Sequence, residues 1–479
     1  MDTKIIFKIL LLFITCLCTS CEEWLDVRPK SQIKEGDLFT TESGFREALI
    51  GAYASLGTID TYGGNCTMGL IDVLAQQYSS VKWPFTSIWD YNYEDSNCKS
   101  RLDAIWISSY SVVANCNYLL KNIVENGSVL SDNTHKLIEA EAIALRSYLL
   151  FDLLRGYAPS YKTGSNKMGI PLVREVTNKP VFPQTVAEEL DILVNDLKQA
   201  REIIRDVDPI GPAFTTYTDP TFDYLGLTDQ YLGDNGFWIY RQSRLNYYGI
   251  TALLARICLY KEDYSNAFSY AQEVIESKKF SLINESSLPS ELISSTIAEV
   301  TAAHEYISSI YVYNLKEGLN DQFFLDAQAS LTISRERKND IFGGDGLDFD
   351  VRARHFFSIP NGNNQEYINK YMTGNNIPLL KLGEMYLIAA ESSGNIDWLK
   401  EFRRLRGYPN VEVAPNVDLQ EELAREYRRE FIAEGQLFYY YKRMNYPQIP
   451  YTSIPTTESV YVFPLPDDEI EFGYSSNNY

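Results

Sequence analysis

The chain has 479 residues, of which 45% are hydrophobic, so it is long enough to bury a large core. Its 64 acidic residues outnumber its 43 basic residues, which gives a formal net charge of −21 at pH 7. This acidic balance argues against binding to nucleic acid and against electrostatic attraction to anionic lipid.

The first segment of the chain is an apolar leader that ends at Cys21. Lys4 and Lys8 give it a basic start, and the apolar run that follows is too short to span a bilayer. Residues 17–21, Leu-Cys-Thr-Ser-Cys, resemble a bacterial lipobox, in which residues 1–20 are removed and the sulfur of Cys21 receives a diacylglycerol. With an added N-acyl chain such as palmitate, the protein would be anchored to a membrane without spanning it. The alternative is an ordinary secretory leader with a chance cysteine.

Four cysteines lie beyond the leader and the lipobox. Cys116 and Cys258 fall in helical segments and are predicted to be small buried residues. Cys66 and Cys98 flank a loop in an exported protein, so a disulfide between them is possible, but sequence cannot test the Cα separation. The three histidines are far apart and lack ligand-like spacing, so neither a metal site nor a cofactor is predicted.

Apolar residues at steps of three and four predict that most of the remaining chain is helical. Thr185 and Glu188 form a capping box, while Asp152 and Arg155 are expected to pair on a helix surface. The helices predicted over residues 245–260 and 264–277 form a hairpin, in which alanines allow the two helices to approach closely. The spacing of these alanines is similar to part of the tetratricopeptide pattern, but no fixed repeat is obvious. The predicted helices cover residues 42–57, 104–123, 138–157, 186–204, 245–260, 264–277, 379–392 and 419–444.

Several short motifs together resemble the SusD/RagB family of nutrient-binding lipoproteins of the Bacteroidetes outer membrane. Each motif is weak alone, but their order and spacing along nearly the whole mature chain carry the resemblance. They are Cys21 followed by Trp24-Leu25-Asp26-Val27 and Pro29, Ala142–Tyr148 running into Phe151–Arg155, Ile170–Val173, Leu380–Glu391, Arg403–Arg406, Glu426–Gly435 and Phe463–Pro466 before Asp468-Glu469-Ile470.

The resemblance implies an all-α fold of tetratricopeptide-like helix pairs with long ligand-binding loops. It implies a leader over residues 1–20 and a single SusD-like domain over 21–479, with an N-terminal part of about 21–240 and a C-terminal part of about 241–479. It also implies a lipid-anchored position on the outer membrane, facing the exterior, and a partner: a SusC-like TonB-dependent β-barrel over which the protein sits as a lid. The expected ligand is an oligosaccharide, with an oligopeptide as the alternative.

Two aromatic loops are the candidate ligand surface. Residues 79–103 lack a helical or strand period and carry Trp83, Trp89, Tyr91 and Tyr93 among polar residues. Flat aromatic faces bind the apolar side of sugar rings or pack on peptide side chains, and in starch-binding relatives the corresponding loop contacts the glycan. The alternative is that these rings pin a long loop to the helices.

The second aromatic stretch precedes the helix predicted over residues 245–260. It could form the other wall of the site or the interface with the barrel. Its aromatic residues are Tyr217, Phe222, Tyr224, Tyr231, Phe237, Trp238 and Tyr240, of which Phe237 and Trp238 are the candidate ligand residues.

An enzymatic role is the less favoured hypothesis. Glu430 and Glu434 are four residues apart, as a glycosidase pair might be, but nearby arginines on the same helix explain them by local pairing. Asp345, Asp348 and Asp350 could hold calcium, yet they lack the EF-hand pattern and suit a solvated loop. We therefore predict no catalytic residue, and we keep a non-nutrient adhesion protein as a further alternative, because helical repeats often bind polypeptides.

Overall fold

Eighteen helices and six short strands occur in the part of the chain that the computed structural model describes. The described residues are 38–214, 237–238, 241, 243–282, 304–315, 317–318, 330–358, 365–368, 370–371, 374–409, 411 and 417–473. The leader, Cys21 and most of the second aromatic stretch lie outside them. No helix within the described ranges is both long enough and apolar enough to cross a membrane.

The helices and strands alternate unevenly along the chain. The helices are α1 Glu42–Leu56, α2 Leu70–Leu74, α3 Thr86–Trp89, α4 Ser96–Asn126, α5 Asp132–Tyr157, α6 Tyr161–Gly164, α7 Val186–Ile204, α8 Tyr247–Tyr260, α9 Tyr264–Glu276, α10 Arg335–Phe342, α11 Asp345–Phe349, α12 Val351–His355, α13 Leu382–Ser393, α14 Ile396–Leu405, α15 Leu419–Glu430, α16 Leu437–Met444, α17 Glu458–Tyr461 and α18 Asp467–Phe472. The strands are β1 Ser80–Val81, β2 Tyr306–Tyr311, β3 Leu331–Ser334, β4 Phe357–Ser358, β5 Gln365–Ile368 and β6 Asn376–Lys381.

Long helices form the body of the fold by packing in a continuous series. Helix α1 packs on α4, α4 on α5, α5 on α7, α7 on α8, α8 on α9, and α9 on α13. The helical hairpin of α8 and α9 is confirmed, and its alanines Ala252, Ala255, Ala267 and Ala271 are completely buried. Small side chains there let the two backbones approach closely. The architecture is therefore the predicted all-α arrangement of helix pairs.

Two small antiparallel sheets lie outside the helical series. One has the strand order β1-β3-β5-β4, and the other pairs β2 with β6. In the first sheet Ser80 and Val81 pair with Thr332 and Leu331, which joins the aromatic loop near residue 80 to a segment some 250 residues later. The short strands thus serve to hold loops in place.

Helix ends follow the local capping chemistry. The predicted capping box at α7 is confirmed, because Thr185 and Glu188 each accept a hydrogen bond from the other's backbone N–H. The Asp95 carboxylate caps α4 by accepting from the N–H groups of Asn97 and Cys98, at 3.1 and 3.2 Å. Helix α4 consequently begins at Ser96, inside the stretch that the sequence predicted to be irregular.

The prediction of one helix over residues 419–444 is wrong. Helix α15 ends at Glu430 and α16 begins at Leu437, because the intervening turn contains Gly435 at φ +67°, in the left-handed region. A Cβ at Gly435 would lie 2.2 Å from the carbonyl oxygen of Cys66. The carboxylate of Asp72 accepts from the N–H groups of Ala433 and Gly435, at 3.0 and 3.4 Å, and secures the turn.

The expected surface pair of Asp152 and Arg155 is also corrected. The two side chains do pair, but Arg155 is buried, and its guanidinium carbon lies 4.1 Å from the ring centroid of Tyr439. Helix α5 is enclosed by α4, α7 and the C-terminal segments, so the face that the sequence left to solvent is covered.

A buried ionic network surrounds Glu430 and overturns the expectation of local pairing for Glu430 and Glu434. Glu430 accepts from Arg352 and Arg406 at 2.8 Å each, and the ammonium of Lys381 lies 2.8 Å away. Glu434 pairs with Lys370 and Lys381. These partners come from α12, the end of α14, β6 and a segment near β5. All of these side chains are buried, so each charge depends on the others for compensation.

We predict that Glu430→Gln lowers the free energy of unfolding at pH 7 by about 3 kcal/mol, because three buried cations lose their shared carboxylate. Burial opposes ionisation of Glu430, but Arg406, Lys381 and Arg352 outweigh it and hold its pKa well below the usual range. The carboxylate therefore stabilises the fold above the unfolded pKa of about 4.5, and this contribution is lost as the pH falls below that value. Urea unfolding of the parent and of Glu430→Gln between pH 7 and pH 3 measures this contribution.

The control for this experiment is Glu421→Gln, an exposed position on the same helix. We expect it to change stability by less than about 0.5 kcal/mol. The stability difference between the parent and Glu430→Gln should narrow as the pH falls. A difference that stays constant down to pH 3 would contradict the assigned ionisation of Glu430.

Candidate functional site

The loop between β1 and α3 presents Trp83 to solvent. Its side chain is 79% exposed, an unusual state for a large aromatic ring. The loop backbone is tied on both sides of the ring: the carbonyl of Trp83 accepts from the hydroxyl of Ser330, and that of Pro84 accepts from the Asn97 amide. The ring is therefore exposed on a backbone that other segments hold in place.

The other three aromatic candidates of this loop point toward the protein. Trp89 is half-buried, and Tyr91 and Tyr93 are buried. The Tyr91 hydroxyl donates to the carbonyl of Leu74 at 3.1 Å, and the Tyr93 hydroxyl donates to the carbonyl of Val460 at 2.7 Å. Burial raises the pKa of both tyrosines, so their hydroxyls remain donors at neutral pH. In this structure Tyr91 and Tyr93 secure the loop.

Phe237 and Trp238, the candidates from the second aromatic stretch, are also buried. The guanidinium carbons of Arg244 and Arg46 lie 4.2 and 4.9 Å from the centroid of the Phe237 ring. The carbonyl of Phe237 accepts from Arg244 at 2.7 Å. The remaining aromatic residues of the stretch lie outside the described residues. Of the six predicted ligand residues, Trp83 is thus the one with a largely open face, and a ligand role for any of them stays a prediction.

Polar side chains surround Trp83 in sequence and reach solvent. Lys82, Thr86, Asp90 and Asn92 are exposed on the same loop. They offer hydrogen-bond donors and acceptors close in sequence to an exposed aromatic ring, and sites that recognise sugars and other polar oligomers combine such groups. The arrangement can bind and orient a ligand.

The structure also bears on the disulfide and the calcium site that the sequence left open. Cys66 and Cys98 are free thiols and form no disulfide, and burial raises the pKa of Cys98 to about 12. Asp350, from the acidic loop considered for calcium, is buried and accepts from Arg352 Nε at 3.0 Å and Nη2 at 2.7 Å. Among the described residues no group of three His, Cys, Asp or Glu side chains has the arrangement of a metal site.

A groove that the sequence did not predict runs beside α4. The α4–α18 groove has a volume of about 480 Å³ and is lined by residues 106–110 of α4, the extended segment 171–181 and residues 466–473, which include α18. Its three walls come from distant parts of the chain. The periodicity of α4 does place Trp106 and Tyr110 on one face, but nothing in the sequence indicates what lies opposite them.

Comparison with known proteins finds a family model that matches part of the chain. Residues 23–215 match a SusD-like family model described as starch-binding and associating with the outer membrane. The N-terminal part of the chain is therefore similar to the SusD-like family. A curated relative, SusD-like protein P25 of Formosa agariphila, is 26% identical over 215 residues, which are 42% of this chain and 38% of that protein. The chain therefore matches well under half the length of that relative.

Solved structures of SusD-like proteins share the fold of this chain. A SusD-like carbohydrate binding protein from Bacteroides vulgatus superposes with a TM-score of 0.67 at 18% identity, covering 92% of this chain and 98% of its own. Surface glycan-binding protein A from Bacteroides uniformis superposes with a TM-score of 0.61 at 18% identity, covering 90% and 96%. The predicted fold class is confirmed. The family and these relatives are named for binding, which agrees with the prediction that the chain is not an enzyme.

We predict unequal stability effects for two aromatic substitutions in this loop. Tyr93→Ala should lower the free energy of unfolding by about 3 kcal/mol, because it removes a buried ring and its hydrogen bond to Val460. Trp83→Ala should change it by less than about 0.5 kcal/mol, because the ring is exposed. Urea unfolding of the two variants tests this contrast, and an equal loss of stability in both would contradict the placement of the loop.

Proposed function

We propose that the chain is a cell-surface lipoprotein that captures an oligomeric nutrient, with a glycan favoured over an oligopeptide, and delivers it to a SusC-like TonB-dependent transporter as its lid. In this proposal Cys21 carries the lipid, residues 1–20 are the leader, and residues 21–479 act as one binding unit. The chain captures the ligand without chemistry of its own, and the energy-coupled step belongs to the barrel.

The exposed ring of Trp83 is the observation that carries the glycan part of the proposal. An indole left 79% exposed buries apolar area only when something packs against it. Sugar rings present flat C–H faces that stack on an indole, and the neighbouring polar side chains can accept or donate to the ring hydroxyls. The family description as starch-binding and the glycan-binding names of two structural relatives support the same ligand class.

The Glu430 region supports binding without catalysis. A glycosidase needs one carboxyl that can donate a proton and a second that faces substrate across a cleft. Glu430 is buried and shared among Arg352, Arg406 and Lys381, with a pKa held below its usual range. Glu430 is therefore ionised and buried, so it can neither donate a proton to a substrate nor contact solvent.

We expect Trp83→Ala to weaken binding of the best ligand from an oligosaccharide panel by about tenfold, because it removes the apolar area buried on the indole together with about 0.5–1.5 kcal/mol of stacking. Isothermal titration calorimetry of the non-lipidated protein, with Cys21→Ser, is the measurement. Tyr264→Ala on α9 removes another partly exposed ring and serves as the control, with no expected effect on affinity. Unchanged affinity in a folded Trp83→Ala variant would reject Trp83 as a ligand residue.

The partner is tested by affinity purification of the lipidated protein from its native outer membrane. We expect a TonB-dependent barrel to co-purify, and Cys21→Ala to abolish both membrane association and recovery of the barrel, because the acyl chains hold the protein at the membrane surface. Recovery of the wild-type protein from the membrane without any barrel would reject the lid role while leaving glycan binding to the calorimetric test.

A further inference from the structure

The walls of the α4–α18 groove are mainly apolar, formed by aliphatic, proline and aromatic side chains. On one side Ile107 of α4 is 61% exposed, and at the end of α18 Phe472 is 68% exposed. Pro171 and Val181 belong to the facing segment. Exposed apolar side chains that border one concavity gain free energy when a partner removes them from water. The volume of about 480 Å³ lies in the range of typical ligand sites.

The indole of the groove, that of Trp106, is covered, which distinguishes the groove from the surface at Trp83. The ring of Trp106 is only 6% exposed, and its centroid lies 4.8 Å from that of Tyr110 and 4.7 Å from that of Tyr157. The Tyr110 hydroxyl donates to the carbonyl of Pro171 at 2.8 Å. Because the indole is buried against two other rings, stacking of a sugar on Trp106 is disfavoured. Aliphatic side chains, which need only apolar walls, fit better.

The facing segment is held in place before any ligand arrives. The Asn117 amide donates to the carbonyls of Val173 and Glu175, at 2.9 and 3.3 Å. Arg146 donates to the carbonyl of Arg174 at 2.6 Å, from a buried position between α4 and α7. The wall is therefore built on α4 and α5 and loses little conformational entropy when a ligand binds.

The charged side chains that line the groove favour a basic ligand over an acidic one. Helix α18 has the sequence Asp-Asp-Glu-Ile-Glu-Phe, and its residues Asp468 and Glu469 line the groove. Asp467 is paired with Lys99, outside the lining. Lys179 is the basic residue of the lining, so acidic side chains outnumber it there. The net charge of −21 adds to the repulsion of an acidic ligand and the attraction of a basic one.

We propose that the α4–α18 groove binds an extended polypeptide segment of another protein that carries aliphatic side chains and at least one lysine or arginine. The aliphatic side chains fill the space between Ile107, Val181 and Phe472, and the basic side chain pairs with Asp468 or Glu469. This site is separate from the glycan surface proposed at Trp83 and does not depend on it.

The test uses an array of amidated octapeptides randomised over leucine, valine, proline, lysine, serine and glutamate, probed with the non-lipidated protein. We expect retained peptides to be enriched in leucine, valine and lysine and depleted in glutamate. The best peptide, labelled with fluorescein, is then titrated in solution by fluorescence anisotropy. Failure of every peptide to bind at millimolar protein, or enrichment of glutamate, would overturn the proposal.

Surface variants locate the bound peptide. The double variant Ile107→Ser with Phe472→Ser should weaken it by about tenfold or more, since two apolar contacts are lost. Asp468→Lys should weaken it by several-fold because it reverses one charge. The matched control is Val124→Ser, which alters an 87% exposed residue on the same helix α4 and should leave the affinity unchanged. All of these positions are exposed, so the variants are expected to fold.

The same variants separate this proposal from the glycan site. The groove variants should keep the oligosaccharide affinity of the parent, and Trp83→Ala should keep the peptide affinity. Peptide binding that survives the groove variants would overturn the proposed site, as would loss of oligosaccharide binding in those variants, since the groove would then belong to the glycan surface.

Discussion

The sharing of one buried carboxylate, that of Glu430, among three cations is the constraint on which the C-terminal half of the structure depends. Arg352, Arg406 and Lys381 come from three different elements, and each would lose part of its buried charge compensation if Glu430 moved. The cost of removing these charges from water is offset only when all of them are in place. The elements that supply them are therefore held in one arrangement around α15.

The arrangement around α15 extends to the loop that carries Trp83. The amide of Gln77 donates to the carbonyl of Arg428 on α15 at 3.0 Å, and Arg337 of α10 donates to the carbonyls of residues 76–78. These bonds fix the backbone just before β1. The pairing of β1 with β3 then fixes the backbone of Ser80 and Val81, close to Trp83. The exposed ring of Trp83 is thus held on a loop whose backbone is fixed by bonds to the buried segments around α15, an order that would limit the entropy lost on binding a ligand.

The molecule presents two surfaces with different chemistry. At Trp83 an open indole lies on a loop with exposed polar side chains, whereas the α4–α18 groove has apolar walls, a covered indole and an acidic helix. The first suits a hydroxylated ring and the second suits an apolar, basic chain. The carboxylates that could have suggested hydrolysis are instead used for internal pairing.

The amino-acid sequence alone determined much of this protein: the period of apolar residues predicted the long helices, the Thr185–Glu188 pair predicted the start of α7, and ordered motifs predicted the similarity to SusD-like proteins. The tertiary structure decided which aromatic rings face water, because Tyr91 and Tyr93 are covered by backbone from residues 74 and 460. It also decided the partners of Glu430, which local spacing assigned to its own helix. Burial and charge pairing depend on segments distant in sequence, and helical periodicity carries no information about which segment will lie opposite.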